Sequence, residues 1–232
     1  MPLSNHPFMP TPFVLFDLDG TLIDSAPDLV ASLNRLRTHA GLEELPFSKL
    51  RQHAGRGARG LLEVGLSVTP DDVLYEQLKT EFLDDYAKHC CEHVIAFDGI
   101  GLLLNSIEKQ GWDWGIVTNK NSVFTNPIVE HLQWTQRAKI IISGDATGKL
   151  KPQPDNILFA LEKSGHEAAE TVYIGDDLRD CLAAHAAKIP FIAASWGYLG
   201  KNRDIAQWQA DFIAQNTDEL LIWLKAYFNS PL

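Results

Sequence analysis

The sequence predicts an α/β protein: a mostly parallel sheet with helices on both faces, interrupted after its first strand by an all-α helical insertion. Three observations carry this. From Phe97 onward, short apolar runs alternate with segments of helical pattern, the order that a parallel sheet with crossover helices requires. The runs are continuously apolar, as strands buried on both sides are. Between residues 25 and 94, apolar residues instead recur three and four apart with no strand among them, which reads as an inserted helical cap domain. The expected division is a core of residues 1–24 and 95–232 and a cap of residues 25–94. A chain of 232 residues, 45% hydrophobic, can bury one sizeable core and a smaller satellite.

The elements follow in order. The first strand is the apolar run from Phe13 to Phe16 in FVLFDLDGTLIDS. The residues before it, MPLSNHPFMPTP, hold four prolines and no basic region, so they read as a loose arm rather than a secretory signal. In the insertion, helical patterns cover Asp28–Ala40, Ser48–Gly65 and Pro70–Cys91. In the last, Leu78, Phe82, Leu83 and Tyr86 recur at helical spacing. AGRGARG (Ala54–Gly60), with three glycines, is expected as a mobile cationic loop between two cap helices. Strands are then expected at Asp113–Thr118, Lys139–Ser143, Thr171–Gly175 and Pro190–Ala194, with a weaker one at Ala210–Ala214. Helices are expected at Gly99–Lys109, Ser122–Leu132, Pro154–Ser164, Leu178–Ala187 and Asp218–Phe228.

Composition excludes several function classes. A net charge of −10 with no basic cluster repels phosphate backbones, so no nucleic-acid partner is expected. No apolar run reaches transmembrane length, so no membrane partner is expected either. Three cysteines, Cys90, Cys91 and Cys181, fit reduced thiols in a cytoplasmic protein. The oligomeric state is left open.

Ligands of open α/β sheets bind beyond the carboxyl ends of the strands, and there the sequence concentrates chemistry. The first strand ends in Asp17, with Asp19 and Gly20 next. The second ends in Thr118, followed by Asn119 and Lys120. A loop after the third holds Lys149 and Lys151. The fourth ends in Gly175, Asp176 and Asp177, with Asp180 beyond. Acid, hydroxyl, cation and acid converge on one rim. Taken singly, each has a plainer reading: a turn for Asp17–Gly20, a solvated lysine for Lys149 or Lys151, and a helix N-cap for Asp177. Two competing motifs fail. GDATGK (Gly144–Lys149) has its glycines one residue too close for a P-loop, and Leu150 stands where Ser or Thr is required. HCCEH (His89–His93) lacks the glutamate of a zinc-protease helix and reads as a solvated cap helix.

DLDGT (Asp17–Thr21), the strand-end Thr118, Lys151 before Pro152 and GDDLRD (Gly175–Asp180) resemble, in order and spacing, the motifs of the haloacid dehalogenase (HAD) superfamily of phosphatases. The resemblance spans essentially the whole chain. It implies a Rossmann-like core with an inserted cap of the all-α C1 type. Through EFLDDYAKHC, WGIVTNK, GDDLRD and SWGY with the tail WQADFIAQNTDEL, the chain is most similar to the phosphoglycolate phosphatase group, on the side of the N-acetylmuramic acid 6-phosphate phosphatases.

The resemblance implies a magnesium-dependent hydrolysis of a small phosphomonoester through an aspartyl-phosphate. Asp17 would be the nucleophile and Asp19 the acid and base. Gly20 would let the backbone turn close to the phosphate. Thr118, with Asn119, would bind the phosphoryl group, and Lys151 would pair with its charge while Pro152 holds the loop extended. Magnesium would sit on Asp17, Asp176 and the Asp19 backbone carbonyl, with Asp177 and Asp180 completing the acidic shell. A charge count agrees with a metal. Asp17, Asp19 and Asp176 bring −3 if ionised and the ester −2. Each like pair about 4 Å apart costs roughly 4 kcal/mol at an effective dielectric of 20. Mg2+, Lys151 and a proton on Asp19 offset most of this, and an all-oxygen shell suits magnesium. Arg59, ahead of Arg56, is expected to read a substrate carboxylate, which 2-phosphoglycolate and N-acetylmuramic acid 6-phosphate both carry. The same fold also hosts sugar-phosphate mutases of the β-phosphoglucomutase kind, 2-haloacid dehalogenases and non-catalytic interaction proteins. A dehalogenase needs neither Asp19 nor the Asp176 cluster.

Overall fold

The computed structural model describes residues 11–199 and 204–229. The arm expected before the first strand lies, up to residue 10, outside them. The described chain runs β1 (Phe13–Phe16), β2 (Ile23–Asp24), α1 (Ala26–His39), α2 (Phe47–Leu50), α3 (Gly57–Leu66), α4 (Tyr75–His89) and β3 (Ile95–Ala96). It continues with α5 (Ile100–Lys109), β4 (Asp113–Val117), α6 (Ser122–His131), β5 (Ile140–Ile142), α7 (Asp155–Ser164), β6 (Thr171–Gly175), α8 (Leu178–Ala186), β7 (Phe191–Ala194), β8 (Phe212–Ala214) and α9 (Thr217–Asn229). The large sheet has the order β5-β4-β1-β6-β7-β8, and every neighbouring pair is parallel.

β1 lies at the centre, flanked by β4 and β6, so the strand order reverses across it and a crevice opens at its carboxyl end. All four of its side chains are fully buried. Val14 and Phe16 join one apolar cluster, Phe13 and Leu15 the other, one on each face of the sheet. A strand so packed cannot slip or tilt without opening both clusters. Whatever its last residue carries is therefore held rigidly.

The insertion departs from expectation in three places. Strands do occur beside it: β2 and β3 form a short antiparallel ribbon, Ile23 opposite Ala96, where the chain leaves and re-enters the core. Two residues apiece carry no readable periodicity. Asp28 of α1 reinforces this junction, its carboxylate accepting the backbone N–H groups of His93 and Val94 at 2.9 and 3.0 Å. Second, the pattern over Ser48–Gly65 is not one helix. It is α2, a 3₁₀ turn over Arg51–Arg56, and α3. AGRGARG accordingly lies within helical turns rather than in a mobile loop. Gly60 serves close packing, since a Cβ there would stand 2.5 Å from Arg56 Cβ, whereas Gly57 takes a φ of +59° that other residues rarely adopt. HCCEH is not a continuous helix either, because α4 ends at His89 and His93 turns back to Asp28. No helix among the described residues is long and apolar enough to cross a membrane.

Candidate active site

Asp17 follows β1 directly, and its N–H continues the ladder to the Ile174 carbonyl at 2.9 Å. Thr118 follows β4 in the same way, bonded to Ile142. Asp176 follows β6. Of these three adjacent parallel strands β1 ends one residue short, so Asp17 is level with Val117 and Gly175, and Thr118 and Asp176 stand one residue further along at the same crevice. Lys151 reaches the same point from the β5–α7 loop. Its Nζ lies 2.9 Å from Asp17 Oδ1 and 2.6 Å from Asp180 Oδ1, and it donates to the Tyr173 hydroxyl and the Val117 carbonyl. Burial alone pulls its pKa down, but Asp17 and Asp180 outweigh this and raise it well above the usual lysine value. Lys151 is therefore a permanent buried cation. Lys149 is exposed. Pro152 lies in a turn closed by the Gln153 N–H on the Leu150 carbonyl, not in an extended loop.

The 2.9 Å contact to Asp17 is an ion pair by distance, but its angle is not that of a hydrogen bond. Asp17 Oδ1 is buried without a hydrogen-bond partner. A buried carboxylate oxygen left so is costly, which points to a ligand. Oxygens of Asp17, Asp176 and Asp180 lie within 4.8 Å of one another. Burial, with Asp17 and Asp180 alongside, pushes the Asp176 pKa well up. Asp180 is pushed up to about 7 by burial, against the pull of Lys151. Acids that resist ionising beside one another are what a divalent cation relieves, and an all-oxygen donor set fits magnesium. The chain leaves room for nothing bulkier on either side of Asp176. A Cβ on Gly20 (φ +88°) would stand 2.2 Å from Asp176 Oδ2, and one on Gly197 would stand 2.5 Å from it. Thr21 Oγ1 and the Tyr198 N–H hold the Asp176 carboxylate at 3.2 and 2.8 Å.

Asp19 has a different setting. Lys120 Nζ donates to both its oxygens, at 2.9 and 3.1 Å, and the Ser25 hydroxyl donates to Oδ1. Lys120 also donates to the Tyr86 hydroxyl at 2.8 Å. The charge count therefore gains a cation, Lys120, and an anion, Asp180. Its sum is unaltered, but each of Asp17 and Asp19 now has its own lysine.

Other residues land elsewhere than the motifs suggest. Asn119 spends both ends of its amide on the Lys151 backbone, at 2.8 and 3.0 Å, so it braces that loop. Asp177 caps α8 in a reciprocal capping box with Asp180 and bonds the Arg179 guanidinium. It is not among the clustered oxygens. Arg59 is exposed and does not line the cavity. Arg56 does, but is paired with Glu63 at 2.5 Å. The cavity, about 350 Å3, lies between Asp17 and an apolar wall that includes Leu29, Phe82, Leu83 and Phe124. Sequence reasoning placed Lys120 on the rim and SWGY near it without giving Lys120 or Tyr198 a role, and overlooked Tyr86, Tyr173, Arg179 and Ser25 as site residues. Lys120 and Arg179 sit inside quoted motifs and could have been weighed. Tyr86 sits in the quoted EFLDDYAKHC but showed only a place on an apolar helix face.

The chain is similar to known proteins along most of its length. The family model for haloacid dehalogenase-like hydrolases matches residues 14–194. The phosphoglycolate phosphatase of Xanthomonas campestris pv. campestris is 39% identical over 218 residues, covering 94% of this chain and 97% of that protein. The N-acetylmuramic acid 6-phosphate phosphatase of Pseudomonas aeruginosa is 36% identical over 208 residues, covering 90% and 92%. The crystal structure of a predicted phosphoglycolate phosphatase from Haemophilus somnus 129PT has the same fold, with a TM-score of 0.79 at 24% identity over 92% of this chain and 97% of that one.

Proposed function

This chain belongs to the haloacid dehalogenase-like hydrolases, and from that premise we propose that it is a phosphomonoesterase working through a phosphorylated Asp17. The observation that carries the reading is the meeting of Asp17, Thr118, Lys151 and Asp176 at one sheet edge, with a buried Asp17 oxygen lacking a hydrogen-bond partner.

Asp17 attacks phosphorus while the ester P–O bond breaks. Asp19 delivers a proton to the departing alkoxide, and afterwards takes one from the water that cleaves the acyl phosphate. Lys151 and Thr118 hold the phosphoryl oxygens. Asp17, Asp176 and the Asp19 carbonyl would hold Mg2+. Bound there, the ion neutralises carboxylate and phosphoryl charge that would otherwise repel. The residues of the cap, 25–94, carry part of the cavity wall, and their movement against the core admits the ester and excludes bulk water.

Both candidate substrates bring a phosphoryl group for the Asp17 end of the cavity, where Lys151 and Thr118 also lie. The apolar wall favours N-acetylmuramic acid 6-phosphate, whose acetyl and lactyl groups have methyls to bury. A two-carbon acid leaves most of 350 Å3 unfilled. The test is phosphate release from both esters with magnesium and after chelation. Asp17→Asn should abolish turnover while the protein stays folded. Undiminished release by that variant overturns the nucleophile, and release unaffected by chelation overturns the metal.

A further inference from the structure

We propose that Tyr86, on cap helix α4, is a positioning residue for the acid–base Asp19, acting through Lys120, so that proton transfer is aligned only when the cap is seated. The inference rests on the phosphomonoesterase reading.

Lys120 and Asp19 are 101 residues apart in sequence and belong to the core. Tyr86 belongs to the insertion. The Lys120 side chain is 7% exposed, and Tyr86 is buried. The ammonium has three N–H groups. Two contacts go to the Asp19 oxygens and one, at 2.8 Å, to the Tyr86 hydroxyl. The ammonium also stands over the Tyr86 ring, 4.8 Å from its centroid. The ring is itself packed on Phe124 of α6, 5.2 Å between centroids. The position of Lys120 is thus over-determined by groups on two sides of the cavity. The Ser25 hydroxyl, from the junction beside β2, holds Asp19 from its other side. A flexible lysine without Tyr86 has several rotamers and loses its fixed aim on Asp19. The carboxyl then wanders relative to the leaving oxygen, and misalignment of a catalytic group costs rate without weakening substrate binding.

Elsewhere among the described residues, Asp28, Glu92 and His93 come together. The Asp28–Glu92–His93 group has its buried carboxylate already saturated by backbone N–H groups.

The experiment measures the pre-steady-state burst of phenol release from substituted aryl phosphates, dinitrophenyl to phenyl, for the wild type and Tyr86→Phe. The substitution keeps the ring and removes only the hydroxyl. A poor leaving group needs the proton and a good one does not. Tyr86→Phe should therefore slow phenyl phosphate about tenfold or more, a share of the 10²–10⁴ that acid catalysis supplies. It should leave dinitrophenyl phosphate within about threefold and KM unchanged, so that dependence on leaving group steepens. In a Lys120→Met background, Tyr86→Phe should add nothing. An equal loss across the series, no loss at all, or additive effects of the two substitutions overturns the proposal. If Asp17→Asn is inactive while the two lines run parallel, the positioning role alone is lost. If Asp17→Asn is active, the phosphomonoesterase reading goes first.

Discussion

Lys149 and Lys151 stand two residues apart, and the fold treats them oppositely. Lys149 is in solvent, whereas Lys151 is 3% exposed and lies between Asp17 and Asp180. A buried cation aimed at developing charge acts in low dielectric, where removing one such group costs about 10²–10³ in rate. Lys151→Ala should lose at least that much in kcat, and Lys149→Ala should stay within a fewfold of wild type. A steady-state assay of the two variants decides, and the reverse result exchanges their roles. The sequence offered both lysines, and the resemblance chose between them. What the letters did not reveal is why Lys151 stays charged, since its carboxylate neighbours lie far away along the chain. The same holds for Asn119, whose polar amide pointed to substrate until its two bonds to the Lys151 backbone appeared.

At the level of elements, α4 has two jobs on two faces. One face carries Tyr86 towards Lys120. The other places Asp85 against Arg35 of α1, with Arg35 Nε donating to both carboxylate oxygens at 3.0 and 2.8 Å. Burial raises the Asp85 pKa, but the Arg35 bonds outweigh it and the net shift is downward. A carboxyl with a lowered folded pKa contributes stability above its unfolded value, and that contribution is lost as pH falls through the folded one. Asp85→Asn should therefore cost about 1 kcal/mol near neutrality, where a partly exposed pair has that order of worth. The difference should shrink in acid, below the ordinary aspartate range of about pH 4. Thermal melts of both proteins at the two pH values test this, and an undiminished difference in acid removes the ion pair as the cause. The strands and long core helices were legible to within a residue or two, because apolar runs and helical spacing are local signals. The β2–β3 ribbon and the break between α2 and α3 were not. The first is too short to carry a period, and the second comes with Gly57, whose φ of +59° ends the 3₁₀ turn, a backbone choice that apolar spacing does not report.

Across the whole molecule, folding gathers carboxylates from β1, β6 and α8 into one buried place, a net cost until a cation arrives. Asp176 and Asp180 have raised pKa values, Asp180 up to about 7. A folded state that holds protons more tightly than the unfolded one loses stability as pH rises between the two values. The metal-free protein should therefore melt several degrees lower at pH 8 than at pH 5, and Mg2+ should remove that fall, since it binds the ionised folded site and not the open chain. Melting curves with and without chelator at both pH values check this. A metal-free melting temperature that rises from pH 5 to 8, or that ignores magnesium, contradicts it.

The sequence by itself determined the α/β class, the helical insertion and the residue at the end of each strand. Periodicity is local, and parallel strands necessarily end at one rim. Only the tertiary structure decided the partner of each carboxylate: Lys151 for Asp17, Lys120 with Tyr86 for Asp19, and Tyr198 with Thr21 for Asp176. Those partners lie tens to more than a hundred residues apart, and which side chains meet across a crevice depends on packing that no short-range pattern encodes.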